Sequence, residues 1–584
     1  MSKKKKKIFI FIGIILFVLI VLGGCFLFFN SKNNNHEQVK KVPSMIEEQE
    51  EKEQGFKIEG YTIENPNVFV NPYGNSPLTA LVLFETSQEV SPKVTIMGKD
   101  SHTTYTHTFE KNTEHYLPIY GLYADQENTV IIEYQENNEA IKKEISIKTE
   151  ALPENMALPS EVYADKEELD NALYFYTPSS EGYTCAYDVN GDVRWYLTDN
   201  ALWEINRLKN GHLLVSTERL VNEPYYMSGL YEMDLLGKIY TEYSLPGGYH
   251  HDYFEMENGN LLVASDDFNN EYGTVEDYIV ELDRNTGEIV KTFDLKDLLN
   301  MEDGKSENWS SYDWFHNNSV WYDEKTNSIT LSGRHQDAVI NIDYKTGKLN
   351  WILGDPTNWS EEYQQYFFTP ISSDTDFEWQ WSQHAAMITP EGYVFLLDNG
   401  NNKSKNKEDY VAAEDSYTRG VMYKIDTKNM TIEQIWEYGK ERGSSFYSPY
   451  ISDVDYLEQN HYIVHSGGIV YVDGKNSNQP AGFSENTTLL SDTVELFNDK
   501  IIFELKLPTN NYRVEKMDLY TSNENFTTEK AKRLGSLGKT QVDQTKFTPI
   551  LESKAIDENY TSHDISIQKE IDRLVVKGQF KKGS

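Results

Sequence analysis

Short apolar runs separated by clusters of turn residues make up most of the chain after residue 56. Between residues 57 and 150 they include Leu81 to Phe84 and Thr129 to Tyr134, and no long segment has the 3.6-residue period of an amphipathic helix. Apolar runs at this spacing are typical of a small antiparallel sandwich. We therefore predict a β-sandwich over residues 57–152, followed by a boundary segment with two prolines at 152–159.

A hairpin-like pattern recurs six times after residue 160: an apolar strand, a turn rich in Asp, Asn or Gly, and a second apolar strand. The copies occupy residues 186–197, 231–245, 280–295, 340–353, 423–438 and 493–507. Two further short strands precede five of the copies, which gives four strands per unit. Six such units with uneven insertions predict an all-β fold with a six-bladed β-propeller over residues 160–584. Residues 512–520 and 565–580 are the candidates to close its ring.

The N-terminus predicts a membrane tether. Five lysines, Lys3 to Lys7, precede 22 residues without a charge, Ile8 to Phe29, which is long enough to span a bilayer as a helix. By the positive-inside rule, this arrangement leaves the rest of the chain outside the cytoplasm. We predict a transmembrane signal anchor over residues 1–32, a polar stalk over 33–56 and a single-pass protein of the cell membrane. Because Leu22 to Cys25 resembles a lipobox, a lipid anchor on Cys25 is the alternative.

Charge and cysteine content exclude several classes of protein. The chain has 54 Lys and Arg against 93 Asp and Glu, a net charge of −39, so it is not expected to bind nucleic acid. Two cysteines, Cys25 and Cys185, cannot form a disulfide framework or a thiolate-rich zinc site. Cys185 lies in a predicted strand and is expected to be a buried small apolar residue.

Three of the 13 histidines occupy equivalent places in their repeats. His251 and His384 each lie eight residues before a turn glycine, and His316 fits if its hairpin is about three residues longer. The register favours His251 over its neighbour His250, although that difference of one residue stays open. Because the first strand of a propeller blade lines the central channel, these side chains should meet at one mouth.

A hairpin brings the start of its first strand beside the end of its second, so Arg334 should lie next to His316. Three imidazoles and a guanidinium at one mouth predict a site for an anion. A metal site is the rival, kept open by Asp252 and Asp313, but the guanidinium argues against it and we predict no metal or other cofactor. Weaker candidates for the rim or for substrate binding are His250, Asn318, Arg419, His465, Tyr512 and Arg513.

At these residues the sequence resembles the bacterial arylsulfate sulfotransferases that are independent of a nucleotide sulfate donor. The segments that carry the resemblance are Asn71 to Gly74, Pro77 to Ala80, His250 to Asp252, Asp313 to Asn318, Ser332 to Gln336, Gln383 to Ala385 and Tyr417 to Gly420. The resemblance implies an N-terminal sandwich, a six-bladed propeller and ping-pong transfer of a sulfuryl group from an aryl sulfate to a phenol through a sulfohistidine. It implies His384 as the nucleophile.

The same resemblance gives His251, His316 and Arg334 the task of binding sulfate and stabilising the transition state. Periplasmic members carry a disulfide near the active site, and this chain has no cysteine pair to form it. The absence of a Gly-rich phosphate loop is consistent with a donor that is not a nucleotide. Aryl rings are expected to contact tryptophans of the flanking segments: Trp314, Trp321, Trp379 and Trp381.

The expected partners are therefore an aryl sulfate donor and a phenol acceptor, and a homodimer is possible. Two other functions remain open from the sequence. One is a membrane-tethered propeller that binds a ligand without catalysis, because propellers host many functions. The other is a metal-dependent hydrolase or lyase that uses the same histidines.

Overall fold

The computed structural model describes residues 45–179, 182–371, 377–522, 524 and 526–538, and three strands beyond residue 559. The predicted membrane anchor, Cys25 and the first part of the stalk lie outside these residues. Within them, no helix is long and apolar enough to cross a membrane. The chain divides into a large unit, Gln49–Val542, and a small one made of Met1–Glu48 and Asp543–Ser584.

In the small unit, three late strands pair with one another in an antiparallel sheet: Tyr560–Ser562, Ile565–Lys569 and Leu574–Gly578. The prediction that residues 565–580 close a propeller ring is therefore wrong for the described strands, because their pairing partners are each other. Their apolar pattern could not distinguish a separate sheet from the edge of a larger one.

The end of the predicted stalk is helical rather than a solvated tether. Its helix spans Met45–Glu53. Gln49 is only 4% exposed, because its Nε2 donates to the Ile239 carbonyl at 2.9 Å and its Oε1 accepts from the Ile239 N–H at 2.7 Å. A polar side chain that is buried against strand backbone leaves no apolar period in the sequence, which is why the pattern predicted a solvated segment.

Two antiparallel sheets occupy the region of the predicted sandwich. The first contains Asn67–Val70, Ala80–Val90 and Asn112–Ile119. The second contains Lys93–Ile96, Tyr105–Thr108, Glu127–Glu136 and Glu139–Lys148. Along Glu127–Glu136, buried and partly exposed residues alternate, as expected for a strand with one face on a core.

The rest of the large unit is all-β and is built on six antiparallel sheets, numbered here in chain order. Each sheet has four main strands, which are given in the order in which they are hydrogen-bonded.

Sheet 1 contains Arg513–Met517, Leu173–Thr177, Cys185–Tyr187 and Val193–Tyr196. Sheet 2 contains Asn206–Arg207, Leu213–Ser216, Tyr226–Met233 and Ile239–Tyr249, with Leu220–Asn222 and Lys532–Gly535 added to it. Sheet 3 contains Tyr253–Glu255, Leu261–Ser265, Tyr278–Leu282 and Ile289–Asp294.

Sheet 4 contains Asn317–Asp323, Ser328–Gly333, Ala338–Asp343 and Leu349–Gly354. Sheet 5 contains His384–Ile388, Val394–Asp398, Arg419–Asp426 and Thr431–Tyr438, with Thr369–Pro370 parallel to the last strand. Sheet 6 contains Asp453–Glu458, His461–Val472, Thr487–Phe497 and Lys500–Leu507, with Lys475–Asn476 and Glu161–Ala164 at its edges. Short 3₁₀ turns lie between strands at Ser101–Thr103, Leu295–Asp297, Arg334–Gln336, Glu361–Tyr366, Lys407–Asp409, Ala413–Asp415 and Lys440–Phe446.

The second strands of these sheets are covered on both faces. All five residues of Leu261–Ser265 are buried, as are all six of Ser328–Gly333. This explains why those segments read as continuous apolar runs rather than as an alternating pattern. Removal of this much apolar surface from water, at about 25 cal/mol for each Å², is the main force that holds neighbouring sheets together.

The first strands of the six sheets determine where the candidate histidines lie. Strands that begin sheets 3, 4, 5, 6 and 1 contact one another in that order. Sheet 1 joins early strands to a late one, since Arg513 pairs with Thr177 and Met517 with Leu173. Residues 512–520 are predicted to close a propeller ring; the structure shows that Arg513–Met517 pairs with Leu173–Thr177, and ring closure stays a prediction. The residues that precede these first strands are thereby brought close together.

Candidate active site

His384 is the first residue of sheet 5 and is 1% exposed. Its Nδ1 lies 2.7 Å from Oδ1 of Asn399 and 3.1 Å from the Ser382 carbonyl. Both partners are acceptors, so Nδ1 carries the proton and Nε2 carries the lone pair. Burial, and then the charge of Arg334, hold the pKa of His384 well below its ordinary value. A buried neutral imidazole with a free lone pair has the form of a nucleophile.

His316 has the opposite charge state. It precedes the first strand of sheet 4, and its backbone is left-handed, with φ of 56°. Its Nδ1 lies 2.7 Å from Oδ2 of Asp313 and 2.7 Å from Oε2 of Glu276. Burial opposes protonation, but these two carboxylates raise the pKa of His316 to about 10. The ring is therefore an imidazolium near neutral pH. Both carboxylates contact Nδ1, so neither of them accepts a hydrogen bond from Nε2–H.

The two carboxylates differ in their own acidity. Burial opposes ionisation of Glu276, yet the charges of His316 and His251 hold the pKa of Glu276 well below its usual range. Burial raises the pKa of Asp313 to about 6, although His316 works in the other direction. Both groups are ionised at neutral pH. A buried cation between two buried anions is costly to disturb, because removal of one partner leaves a charge uncompensated.

His250 and His251 form a hydrogen-bonded pair. His250 Nε2 lies 3.1 Å from the Ser265 carbonyl and must donate to it, so its Nδ1 accepts from His251 Nδ1 at 2.8 Å. His251 therefore presents an unprotonated Nε2. Burial holds the pKa of His251 well below its ordinary value and also lowers that of His250. The His251 ring meets His316 edge to face at 4.9 Å, so His251 is the member of the pair that joins the cluster.

Arg334 lies beside His316, as the hairpin geometry predicted: its backbone N–H donates to the His316 carbonyl at 3.2 Å. Its side chain contacts His335 Nε2 at 3.0 Å and the Pro449 carbonyl at 3.3 Å. Within the described part of the chain, its Nε has no hydrogen-bond partner. His335 stacks on His316 at 4.4 Å and remains neutral, because burial and two neighbouring cations hold its pKa well below the usual value. Arg334 thus keeps one N–H available to an anion.

The aromatic rings that touch the histidines are not the predicted tryptophans. Trp203 stacks on His251 at 4.5 Å, and Tyr225 and Tyr512 meet the same ring edge-on at 5.9 and 5.7 Å. Tyr512 also lies 6.5 Å from His384 between ring centroids.

The four predicted tryptophans have other neighbours. Trp314 is buried and donates to Asp277 at 2.7 Å, and Trp379 packs with Phe377 at 4.7 Å. Trp321 contacts Phe254 at 5.0 Å, while the backbone N–H of Trp381 donates to Asp398. None of these contacts is with the histidines of the cluster, and whether the rings contact an aryl group stays a prediction. Aromatic residues favour core and site alike, so composition could not separate the two.

Three weaker candidates have structural partners. Asn318 donates to the Gln383 carbonyl at 2.8 Å, which ties sheet 4 to the residue before His384. Arg419 is buried in ion pairs with Asp398 and Glu437, whereas His465 contacts Thr493 Oγ1 at 2.8 Å and the Asn511 carbonyl at 3.2 Å. Of the three, Asn318 is directly linked to the cluster. Cys185 is free and buried, as predicted, and burial raises the pKa of its thiol to about 12.

Among the residues that the structure describes, two groups of side chains have ligand atoms close enough together to hold a metal ion. They are His250, His251 and Glu276 in one group and Asp313, His316 and His335 in the other. In the second group His316 Nδ1 already carries a proton between two carboxylates, and in the first the two Nδ1 atoms face each other. A metal ion would have to displace these protons, so the donor set fits the protonated network better than a metal.

A cavity of about 580 Å³ adjoins the cluster on the side of the first strands. Its lining includes Asp252 and Ala385, which directly follow His251 and His384, together with Asp453 and Arg513. The first strands therefore carry the histidine cluster at their starts and this cavity along their length.

Sequence reasoning missed Glu276, His335, Asn399 and Trp203 and named Asp313 only as a metal ligand. His335 and Asp313 lie in the segments that carry the family resemblance, within three residues of Arg334 and His316, so proximity was a usable signal. Glu276 belongs to a loop of sheet 3 whose position depends on how the sheets pack, and its place in the sequence gave no signal. Asn399 directly follows the second strand of sheet 5, so the hairpin geometry that placed Arg334 beside His316 was a usable signal for Asn399 beside His384.

Comparisons with known proteins point to one family. A family model described as arylsulfotransferase matches residues 160–517, and a model of the arylsulfotransferase Ig-like domain matches residues 67–150. Arylsulfate sulfotransferase AssT from Lelliottia amnigena is 26% identical over 513 aligned residues, covering 69% of this chain and 85% of that protein. The AssT protein of Escherichia coli O6:H1 is also 26% identical, over 516 residues, with the same coverage of both chains.

A solved structure of an auxiliary nutrient binding protein from Bacteroides ovatus aligns with 74% of this chain and 86% of its own. Its identity is 11% and its TM-score 0.28, which is too low to bear on the fold. The family model, in contrast, spans more than half of the sequence. The chain belongs to the arylsulfotransferase family.

Proposed function

We propose that this protein transfers a sulfuryl group from an aryl sulfate to a phenol through a covalent sulfohistidine on His384. The observation that carries the proposal is the combination of charge states in one cluster. A neutral imidazole with a free Nε2 lies with an imidazolium, His316, and a guanidinium, Arg334, that keeps a free N–H. A sulfate monoester needs such partners: a nucleophile at sulfur and positive charge at the oxygens.

In the first half-reaction, His384 Nε2 forms a bond to sulfur while the bond from sulfur to the aryl oxygen breaks. The aryl oxygen takes the electron pair and accepts a proton from His316 Nε2. Phenols and His316 have similar pKa values, near 10, so the proton moves without a large free-energy difference. In the second half-reaction an acceptor phenol returns a proton to His316 as its oxygen attacks sulfur, and the Nε2–S bond breaks. Arg334 offsets charge on the sulfuryl oxygens throughout.

His251 has a different part in this scheme. Because its Nε2 is unprotonated, it accepts a hydrogen bond rather than donating one to a sulfuryl oxygen. We assign it to holding the neighbouring aromatic rings in place rather than to the proton transfer, because the single hydroxyl proton of the acceptor goes to His316. Trp203 and Tyr512 would then contact the aryl ring, since both rings already pack on His251.

We further propose that the six sheets are the blades of a propeller. The contacts between successive first strands support this arrangement, as does the pairing of Arg513–Met517 with Leu173–Thr177, which joins the end of the repeat region to its start. The cluster would then lie at one mouth of the channel and the 580 Å³ cavity within it.

The proposed location is outside the cytoplasm, tethered by the N-terminal apolar run. The lysines before that run and the length of its uncharged part support the orientation. Protease added to intact cells should release the folded domains; complete protection would contradict the orientation. Persistence of the tether in Cys25→Ser would favour the helix over a lipid anchor.

Mass spectrometry after brief exposure to 4-nitrophenyl sulfate without acceptor tests the covalent step. The peptide that contains His384 should gain one SO₃, and His384→Ala should abolish both the adduct and turnover. His115→Ala is the matched control, because His115 is also a buried histidine but lies in the sandwich. An adduct on another histidine, or turnover in His384→Ala, would contradict the assignment.

Two alternatives predict other outcomes in the same assay. A metal-dependent hydrolase would release nitrophenol steadily without an acceptor and would lose activity to a chelator. A binding module without catalysis would release none from any aryl sulfate.

A further inference from the structure

The side-chain amide of Asn399 can take only one orientation. Its Nδ2 donates to the Ser448 carbonyl at 2.9 Å and to the Ile451 carbonyl at 2.9 Å. If the amide were flipped, its oxygen would face two carbonyl oxygens and both pairs would repel. Oδ1 therefore points at His384 Nδ1, 2.7 Å away, and can only accept from it.

The surroundings of Asn399 hold it in that place. It lies two residues beyond Leu397, the cross-strand partner of His384, and is fully buried. The backbone carbonyl of Asn399 accepts from Thr418 Oγ1 at 2.9 Å. The same hydroxyl oxygen accepts from the Ser448 N–H at 2.8 Å. Sheet 5 and the loop before sheet 6 thus fix the amide from both sides.

We propose that Asn399 is a positioning residue that selects Nε2 of His384 as the attacking nitrogen and keeps a proton on Nδ1 through both half-reactions. The inference rests on the proposed sulfuryl transfer. It adds a residue that was not among the candidates from the sequence.

Retention of that proton has a chemical consequence. When Nε2 forms its bond to sulfur, the aryl oxygen leaves with its electron pair, and the ring becomes a cationic N-sulfoimidazolium with Nδ1–H still bound to Asn399. In the second half-reaction the acceptor oxygen attacks sulfur and the Nε2–S electron pair returns to the ring. A cationic ring is a better leaving group than a neutral one. A neutral amide accepts the hydrogen bond without removing the proton, whereas a carboxylate at this position could take it.

Two variants separate these effects. Asn399→Leu removes the nearer of the two acceptors and leaves only the Ser382 carbonyl at 3.1 Å, so His384 should populate both tautomers. The rate of nitrophenol release in the first half-reaction should then fall roughly 10²-fold or more. Asn399→Asp keeps an acceptor but can take up the proton. In that variant the sulfohistidine should form and then decay more slowly than in the native protein when a phenol is added.

Asn341→Leu is the matched control. Asn341 is 3% exposed and its amide donates to two hydroxyls, Ser328 at 2.9 Å and Thr330 at 3.0 Å, within sheet 4. It should leave both half-reactions unchanged. Circular dichroism and thermal melting of each variant establish that the compared proteins are folded.

The position of the adduct is the readout that a merely structural role would not move. Fragmentation and ¹⁵N NMR of the sulfated native protein should place the sulfuryl group on Nε2. Sulfation on Nδ1, or unchanged half-reaction rates in folded Asn399→Leu and Asn399→Asp, would overturn the positioning role while leaving the transfer reaction intact. Absence of any sulfohistidine in the native protein would instead refute the proposed function.

Discussion

Replacement of Glu276 by glutamine is expected to lower the pH at which His316 loses its proton. In the native protein, Nδ1 of His316 lies 2.7 Å from carboxylate oxygens of both Glu276 and Asp313. Although burial opposes the charge, these anions raise the pKa of His316 to about 10. Glutamine preserves the shape of Glu276 and removes one of the two negative charges.

The size of the effect follows from the contact distance. An opposite charge this close typically changes a pKa by about 1–3. The pKa of His316 should therefore fall from about 10 to between about 7 and 9. Because protonated His316 supplies the proton to the leaving phenolate, the loss of activity on the alkaline side should move down by the same amount.

The assay is the burst of phenol release from phenyl sulfate without acceptor, followed across the alkaline range, because a phenol with a pKa of about 10 depends on the proton of His316 when it leaves. This half-reaction avoids interference from ionisation of an acceptor phenol. Glu495→Gln is the control, since Glu495 is a buried glutamate that lies 2.6 Å from the ring of His461, outside the cluster. An unchanged alkaline limb in Glu276→Gln would show that His316 is not the proton donor, or that its charge does not depend on Glu276.

Two further outcomes concern steady-state turnover with a phenol acceptor present. Arg334→Lys should lower kcat by roughly 10²–10³-fold, because an ammonium cannot replace the planar fork of a guanidinium, and a change in KM alone would contradict a role in the transition state. Turnover should survive dialysis against EDTA, since His316 Nδ1 is occupied by a proton between two carboxylates; loss of activity with rescue by a divalent ion would move the metal hypothesis to first place.

The repeats could be recognised in the sequence because each one ends in a hairpin whose turn is rich in Asp, Asn or Gly. His251 and His384 could be matched since each lies at the same distance from a turn glycine. Arg334 could be placed beside His316 because hairpin geometry is local. Features that depend on one strand and its neighbour were therefore predictable from the sequence.

The electrostatic partner of His316 was not predictable in this way. Glu276 reaches His316 from the neighbouring sheet 3, whereas Asn399 follows the strand that pairs with His384 and lay within the same hairpin argument. Whether a histidine acts as a nucleophile or as an acid depends on these partners, because the imidazole side chain is the same in every histidine of the cluster. The sequence predicted which histidines come together. Which of these rings carries a charge depends on the residues that contact it in the folded protein.

The cavity beside the cluster contains a second set of buried ionisable groups. Arg513 lies 3.3 Å from Glu204 and 3.0 Å from Asp453. Burial raises the pKa of Glu204 well above its usual value, with a further contribution from the charge of Asp252, and Arg513 only partly opposes this. Oε1 of Glu204 has no hydrogen-bond partner among the described residues. The protonated form of Glu204 is thus the one that suits the fold.

The sign of the resulting pH dependence can be worked out. A carboxyl group whose pKa is raised on folding stabilises the fold fully below its unfolded pKa, near 4.3 for Glu, and that contribution is lost as pH rises through the folded pKa. Glutamine resembles the protonated acid at every pH. Glu204→Gln should therefore melt at a higher temperature than the native protein at about pH 8, and at the same temperature at about pH 4. A gain of about 1 kcal/mol corresponds to about 2–4 °C or less in a domain of this size. A lower melting temperature of the variant at the higher pH would mean that Glu204 is ionised there and that its ion pair with Arg513 stabilises the fold.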